Sequence, residues 1–278
     1  MKKSILILLS LLLFACTAER RWEDVESEIV VEGWIEAGNP PVIMLTKTIT
    51  PSSEFRTMEE LQDHIIKWAK VTVSGPDTTV VLTGMADSGH FPPYIYTTGH
   101  LFGKAGGKYT LTVEYDNKTV TATTTVPEPE EITAIWAEKL PSSDSLYNVK
   151  LRLGNEAGAK KYYRLLYKID GEGTDYLPCF PGTIEGESLQ SGAEITVTRS
   201  QNLFSGDFST QFVKGSTVRI KLCTIDGATW QFWKDFDDLT IIGSSPIFPT
   251  YTNPASNVRG GLGYFSGFGA VYGKAVIE

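Results

Sequence analysis

The chain has 278 residues, and 33 Asp and Glu against 25 Lys and Arg give it a formal net charge of −8. With 41% hydrophobic and 21% charged residues it has the makeup of a globular protein, which excludes a disordered chain. The negative balance argues against nucleic acid or anionic lipid as partner, since either calls for a basic face, and the length points to two domains at about 100–200 residues each.

Lys2 and Lys3 precede a run of mostly Leu and Ile from Ser4 to Phe14. That run is too short for a membrane span, which needs about 20 apolar residues, and fits a secretory signal. It ends in Leu13-Phe14-Ala15-Cys16, which resembles the bacterial lipobox, with Phe14 where a small residue is usual. Residues 1–15 then form a lipoprotein signal peptide and Cys16 becomes the lipidated first residue. The alternative is ordinary cleavage after Ala18. Acyl chains on Cys16 would hold the protein at a membrane at about 0.8 kcal/mol per buried methylene. No second segment approaches spanning length, so the lipid is the only membrane contact expected.

Residues 16–27 read as a charged tether. "EIVVEGWI" and "VIMLTKT" follow as strands around the turn-forming "EAGNPP". Thr57 and Glu60 have capping-box spacing, with Leu61, Ile65 and Trp68 at i, i+4, i+7, which predicts a short helix. "AKVTVSG" and "VVLTG" are strands, and "GGKYTLTVEYDNKTVTATTTV" is a hairpin turning at Asp116-Asn117. Pro127 and Pro129 in "VPEPEE" make an extended connector. A first β-sandwich domain is therefore expected over residues 28–127, and a fragment of residues 25–128 is expected to fold alone.

The second domain, residues 128–278, begins again with strands: "ITAIWAE", "YNVKLRL", "YYRLLYKI", "EITVTRS" and "TVRIKLCTI". One helix is predicted over 226–239, capped by Asp226, with Thr229, Phe232, Trp233, Phe236 and Leu239 on one face. The fold class is thus mainly β: two antiparallel sandwich-like domains, with a short helix in the first and an aromatic-faced helix in the second. Cys179 and Cys223 remain once Cys16 is used. A bridge between them would stabilise the fold by about 4 kcal/mol, and two buried thiols are equally natural.

"NPASNVRGGLGYFSGFG" (253–269) is rich in glycine, yet it lacks the strand–glycine–helix order of a dinucleotide loop and the Gly-Lys-Ser/Thr of a P-loop. Alternation explains it better. Leu262, Tyr264, Phe268, Ala270 and Tyr272 share one face of a terminal strand. Gly263, Gly267, Gly269 and Gly273 lie mainly on the other, where bulky neighbours such as the aromatic helix are expected to press.

"VVEGWI", "VPEPEEI" and this terminal stretch together resemble a lipoprotein family of Bacteroidetes, domain of unknown function 4249, over the whole mature chain. Asn-Pro-x-Ser-Asn with Gly-Leu-Gly-Tyr-Phe is the most specific part, and the chain is short for that family. The resemblance implies an outer-membrane lipoprotein, of a kind often encoded beside TonB-dependent transporters. It brings no catalytic residues.

The residues offer little chemistry of their own. His90 and His100 flank "FPPYIYTTG" without a close carboxylate, and His64 lies on the predicted early helix facing solvent, so no metal is expected. Glu185 and Glu187, two apart in a Gly-rich loop, read as surface carboxylates and not a glycosidase pair. Asp235, Asp237 and Asp238 crowd the end of the second helix, where negative charge is unfavourable, but without a calcium-loop pattern they read as a solvated face. Four aromatic, Pro-bounded or Gly-bearing loops remain as contact surfaces or core caps: 91–96, 176–182, 203–212 and 246–251. The expectation is a non-enzymatic lipoprotein without cofactors, anchored to the outer membrane, binding an unspecified ligand beside a TonB-dependent transporter. An adhesin or envelope-assembly component, and a hydrolase with an unrecognised site, are the alternatives.

Overall fold

The structure is a computed structural model that describes residues 27–48, 62–172, 176–202, 207–243 and 253–278. Cys16, Thr57, Glu60, Leu61 and the 246–251 segment lie outside the described residues. No described helix is long and apolar enough to cross a membrane.

The first half forms β1 (Ile29–Glu36), β2 (Val42–Lys47), β3 (Lys70–Ser74), β4 (Thr79–Val81), β5 (Thr83–Ala86), β6 (Tyr94–Thr97), β7 (Lys108–Tyr115) and β8 (Lys118–Thr125). Next come β9 (Ile132–Lys139), β10 (Leu146–Leu153), β11 (Tyr162–Ile169), β12 (Leu177–Glu185) and β13 (Glu194–Thr196). After these follow β14 (Arg199–Asn202), β15 (Asp207–Ser209), β16 (Gln211–Val213) and β17 (Thr217–Ile225). Helix α1 (Gly227–Gly243), β18 (Val258–Arg259) and β19 (Leu262–Val276) complete the chain. The fold is mainly β, as its alternating patterns predict. The β7–β8 hairpin is in register from Lys108↔Thr125 to Tyr115↔Lys118, turning through Asp116 (φ 49°) and Asn117 (φ 59°). Asp and Asn tolerate that left-handed backbone, and its twist matches the strands.

The strands assemble around one eight-stranded sheet, ordered β12-β11-β17-β19-β1-β2-β6-β5. A five-stranded sheet, β18-β8-β7-β3-β4, covers one end of it, and a sheet built on β10 with β9, β13 and β16 covers the other. Two cores result. The first buries Val31, Ile35, Ile43 and Leu45 against Val71, Val73, Leu111, Val113 and Val120. The second buries Leu165, Val218, Ile220 and Leu222 against Val149, Leu151, Val197 and Phe212.

Strand β19 belongs to both. Its first part pairs parallel with β1, Val30↔Leu262 to Glu36↔Phe268, and its second part antiparallel with β17, Thr224↔Gly269 to Thr217↔Val276. Phe265 and Val258 sit in the first core, and Ala275 and Ile277 in the second. The expected first domain, 28–127, therefore does not close its own core: the last strand of the chain supplies its central neighbour.

The glycines of β19 account for the path of the connector. A Cβ at Gly267 would fall inside contact distance of the Thr125 carbonyl and Val126, and one at Gly269 of the Pro127 carbonyl and Glu128. The chain's own backbone presses on this face, and the aromatic helix packs on the opposite one, contrary to expectation. The connector is also clamped. Buried Glu130 accepts hydrogen bonds from Lys161 Nζ (2.8 Å) and Tyr163 Oη (2.9 Å), while its N–H donates to Thr224 Oγ1 (3.0 Å). The Asn-Pro-x-Ser-Asn motif explains itself nearby. Asn257 Nδ2 donates to the Phe265 carbonyl (2.7 Å) and its Oδ1 accepts the Phe265 N–H (3.0 Å), so one side chain serves as a strand neighbour.

Two local expectations are corrected. The early helix does not extend through Trp68: Ile65 bridges Thr46, the Ile66 N–H donates to Leu45, and Ile66 is buried while Trp68 is 89% exposed. Pairing with β2 overrides the helical spacing. The aromatic segment 176–182 is largely strand, in β12, and 91–96 becomes strand from Tyr94, in β6; they bury Ile95, Tyr96, Cys179 and Phe180, while Phe91 stays exposed. Pro178 and Pro181 are tolerated because β12 is the edge of the sheet. In the 203–212 segment, β15 and β16 take the described residues and Phe212 is buried in the second core.

Candidate functional site on the outer face of the central sheet

A sheet strand that sends one face to a core sends alternate residues to the other. On the central sheet that outer face carries Glu32, Trp34 and Glu36 of β1, and Tyr264, Ser266, Phe268, Ala270 and Tyr272 of β19. Lys221 and Cys223 of β17 and Tyr162, Arg164 and Leu166 of β11 complete it. Helix α1 covers part of it. Asp226 starts the helix as expected, its Oδ1 accepting the Thr229 N–H at 2.8 Å. Phe232 and Trp233 then pack on Tyr264, with ring centroids 4.8 and 4.9 Å apart, and Trp230 stacks on Tyr162 at 4.8 Å. Phe236, expected on the buried face, is 46% exposed.

Beneath α1 the packing is polar. Arg164 is 3% exposed and its guanidinium lies 3.5 Å from the Trp233 ring centroid, a cation–π contact. Burial lowers its pKa, with Asp237 and Tyr264 opposing. Tyr264 donates to Glu32 (3.0 Å), and burial raises the Glu32 pKa against that hydrogen bond and His90. Asp237 is buried, not solvated. It accepts from the Gly182 N–H (3.2 Å) and Thr183 Oγ1 (3.3 Å), and burial raises its pKa while Arg164 lowers it. Its neighbours are partnered by protein groups: Asp235 by Gln231 and the Ala255 N–H, and Asp238 by Lys234.

Beyond the helix the same face opens. Lys221 Nζ lies 2.6 Å from Glu36 Oε2, and the two side chains are 13% and 5% exposed. Burial works against the Lys221 charge, but Cys223, Glu36 and Tyr272 outweigh it and leave its pKa raised. Tyr272 Oη and Asn39 Nδ2 both donate to Glu36 Oε1. Tyr272 is 53% exposed and meets Tyr176 edge-on at 5.9 Å, while Trp34 lies 5.8 Å from His90. A carboxylate, an ammonium and aromatic rings are thus held on strands, with little freedom left to lose on binding. Sequence reasoning placed Tyr264, Phe268 and Tyr272 on this face but did not single out Arg164, Lys221, Glu32 or Glu36. Their signal was a charge at alternate positions within apolar strands, as in "VVEGWIE" and "VRIKLCT".

The other predicted residues do not converge here. His90 contacts Asp87 at 3.3 Å, whereas His100 lines a separate depression with Gly75, Asp77 and Phe102. His64 lies in a turn, its carbonyl accepting the Lys47 N–H. Glu185 and Glu187 are exposed at the end of β12 and the turn after it. Among the described residues no three His, Cys, Asp or Glu side chains group to hold a metal. A cleft of about 570 Å³ lies apart, at the β5–β6 edge, between Gln62, Ile65 and Lys67 and Asp87, Pro93 and Tyr94.

Cys179 and Cys223 are free thiols, Cys179 in the second core and Cys223 in the cluster under α1. Burial pushes both pKa values up to about 12. Since the thiolate is the reactive form, neither is expected to react with iodoacetamide at neutral pH until the chain unfolds. Mass-spectrometric labelling with and without denaturant checks this, and rapid labelling of native protein would contradict it.

These features define a mainly-β protein in which two cores share one sheet and helix α1 seals a polar cluster on its outer face. The chain belongs to the family described as Domain of unknown function (DUF4249), which matches residues 20–271. No curated protein matches it in sequence.

Proposed function

We propose that the protein is a non-enzymatic binding component of the outer membrane, anchored by lipid on Cys16 and serving as an accessory to a TonB-dependent transporter. The observation that supports binding is the open part of the outer sheet face, where half-exposed Tyr272 adjoins the buried Lys221–Glu36 pair. A rigid aromatic over desolvated polar groups has the makeup of an interface hot spot, where truncation costs about 2 kcal/mol or more. The lipid anchor is supported by the short apolar run that ends at Cys16.

The test is affinity capture of the full-length tagged protein from detergent-solubilised outer membrane. A transporter is expected to co-purify, and Tyr272→Ala is expected to reduce its recovery about tenfold or more. Cys16→Ser is expected to leave the detergent phase. A membrane-bound Cys16→Ser variant would overturn the anchor, and capture unaffected by Tyr272→Ala would overturn the surface.

A further inference from the structure

We propose that Arg164 anchors an enclosed site for a small acceptor-only monoanion, of the carboxylate class, between α1, β11 and β19. This site is separate from the Tyr272 surface and does not rest on its role. Among the described residues, four polar atoms on the helix and on the strands it covers are buried without a hydrogen-bond partner: Arg164 Nη1, Trp233 Nε1, Thr229 Oγ1 and Ser266 Oγ. Arg164, Thr229 and Ser266 are 3%, 1% and 0% exposed. Tyr264 ties the set together, lying two residues from Ser266 on the same face of β19 and meeting edge-on Trp233, which in turn covers the Arg164 guanidinium.

The chemistry of the set selects its ligand. Guanidinium and indole N–H groups can only donate, and the two hydroxyls can donate as well. The Trp233 ring answers the charge of Arg164 through its π face but accepts no N–H bond. Arginine does not shed its proton in proteins, so burial leaves a cation that requires an acceptor. Asp237, the carboxylate that favours the Arg164 charge, accepts its hydrogen bonds from Gly182 and Thr183 of β12. A water molecule would add two hydrogens to a set already rich in donors. A carboxylate brings only lone pairs and offsets the charge.

Sodium formate, titrated into the mature chain at constant ionic strength, is expected to change tryptophan fluorescence saturably, because Trp233 lies on the guanidinium. It is also expected to raise Tm by ligand linkage. Ser266→Ala removes a single buried hydroxyl and keeps the charge, so it is expected to weaken formate about tenfold or more. Arg164→Met is expected to abolish the response. If that variant does not fold, Ser266→Ala decides alone. Benzoate separates the sources: a response equal to that of formate indicates the carboxylate end of a larger ligand, and a response to formate alone indicates a free ion. No saturable response in the parent protein, or one that Ser266→Ala leaves unchanged, overturns the site.

Discussion

Residues 25 to 128 produced alone are expected to give no cooperative thermal transition. The first core needs Phe265 and Val258, which this fragment lacks. Emptying one buried Phe position costs about 3–5 kcal/mol, and a domain of this size has only about 5–15 kcal/mol in total. The fragment also leaves one edge of β1 without the β19 pairing that runs from Val30 to Glu36. Fusing residues 253–268 to the fragment through a flexible linker is expected to restore a sharp transition, since this stretch carries Val258, Phe265 and the Asn257 clamp. Circular dichroism melts of the two fragments decide it. A bare fragment that melts cooperatively would show that the first core closes without its last strand.

Gly267→Val is expected to be among the most damaging single substitutions on β19. Overpacking against movable side chains costs about 1–3 kcal/mol, but here the obstacle is the main chain of Thr125 and Val126. That backbone leads into a connector fixed at Glu130, so it cannot retreat freely. We expect a loss of about 3 kcal/mol or more, which corresponds to a fall in Tm of roughly 6–12 °C for a chain of this size. Gly99→Ala is the control, because a Cβ at Gly99 meets nothing within 4 Å. If Gly267→Val melts like the parent while capture of a partner is lost, the segment is a binding loop and the strand assignment fails.

Much of the architecture is legible in the sequence because alternation is a local property. The β7–β8 hairpin, β10, β11, β17 and the two faces of β19 follow directly from period-two patterns and turn residues. The helix at 227–243 follows from its aromatic spacing and the Asp226 cap. The pairing partners of β19 are not legible, since register with β1 depends on residues at the opposite end of the chain. Trp68 misled because spacing alone does not report which backbone groups find partners elsewhere, and here Ile66 found Leu45. The site was missed for a related reason. Arg164 in "YYRLLYKI" looks like an exposed charge until α1, some sixty residues later, is known to lie over it. Asp237 was taken as solvated because its partners come from β12.

The parallel pairing of β1 with β19 also sets the order in which the molecule can form. The Tyr264–Glu32 contact joins positions 232 residues apart, and the strand that carries Tyr264 is made long after β1. Local hairpins such as β7–β8 can close early, but the central sheet stays split into two unjoined sets of strands until β19 is in place. Such distant pairing makes folding slow, because the loop-closure entropy comes before its reward. A chain built this way stays incompletely folded until β19 joins it, with one edge of β1 still open to other strands.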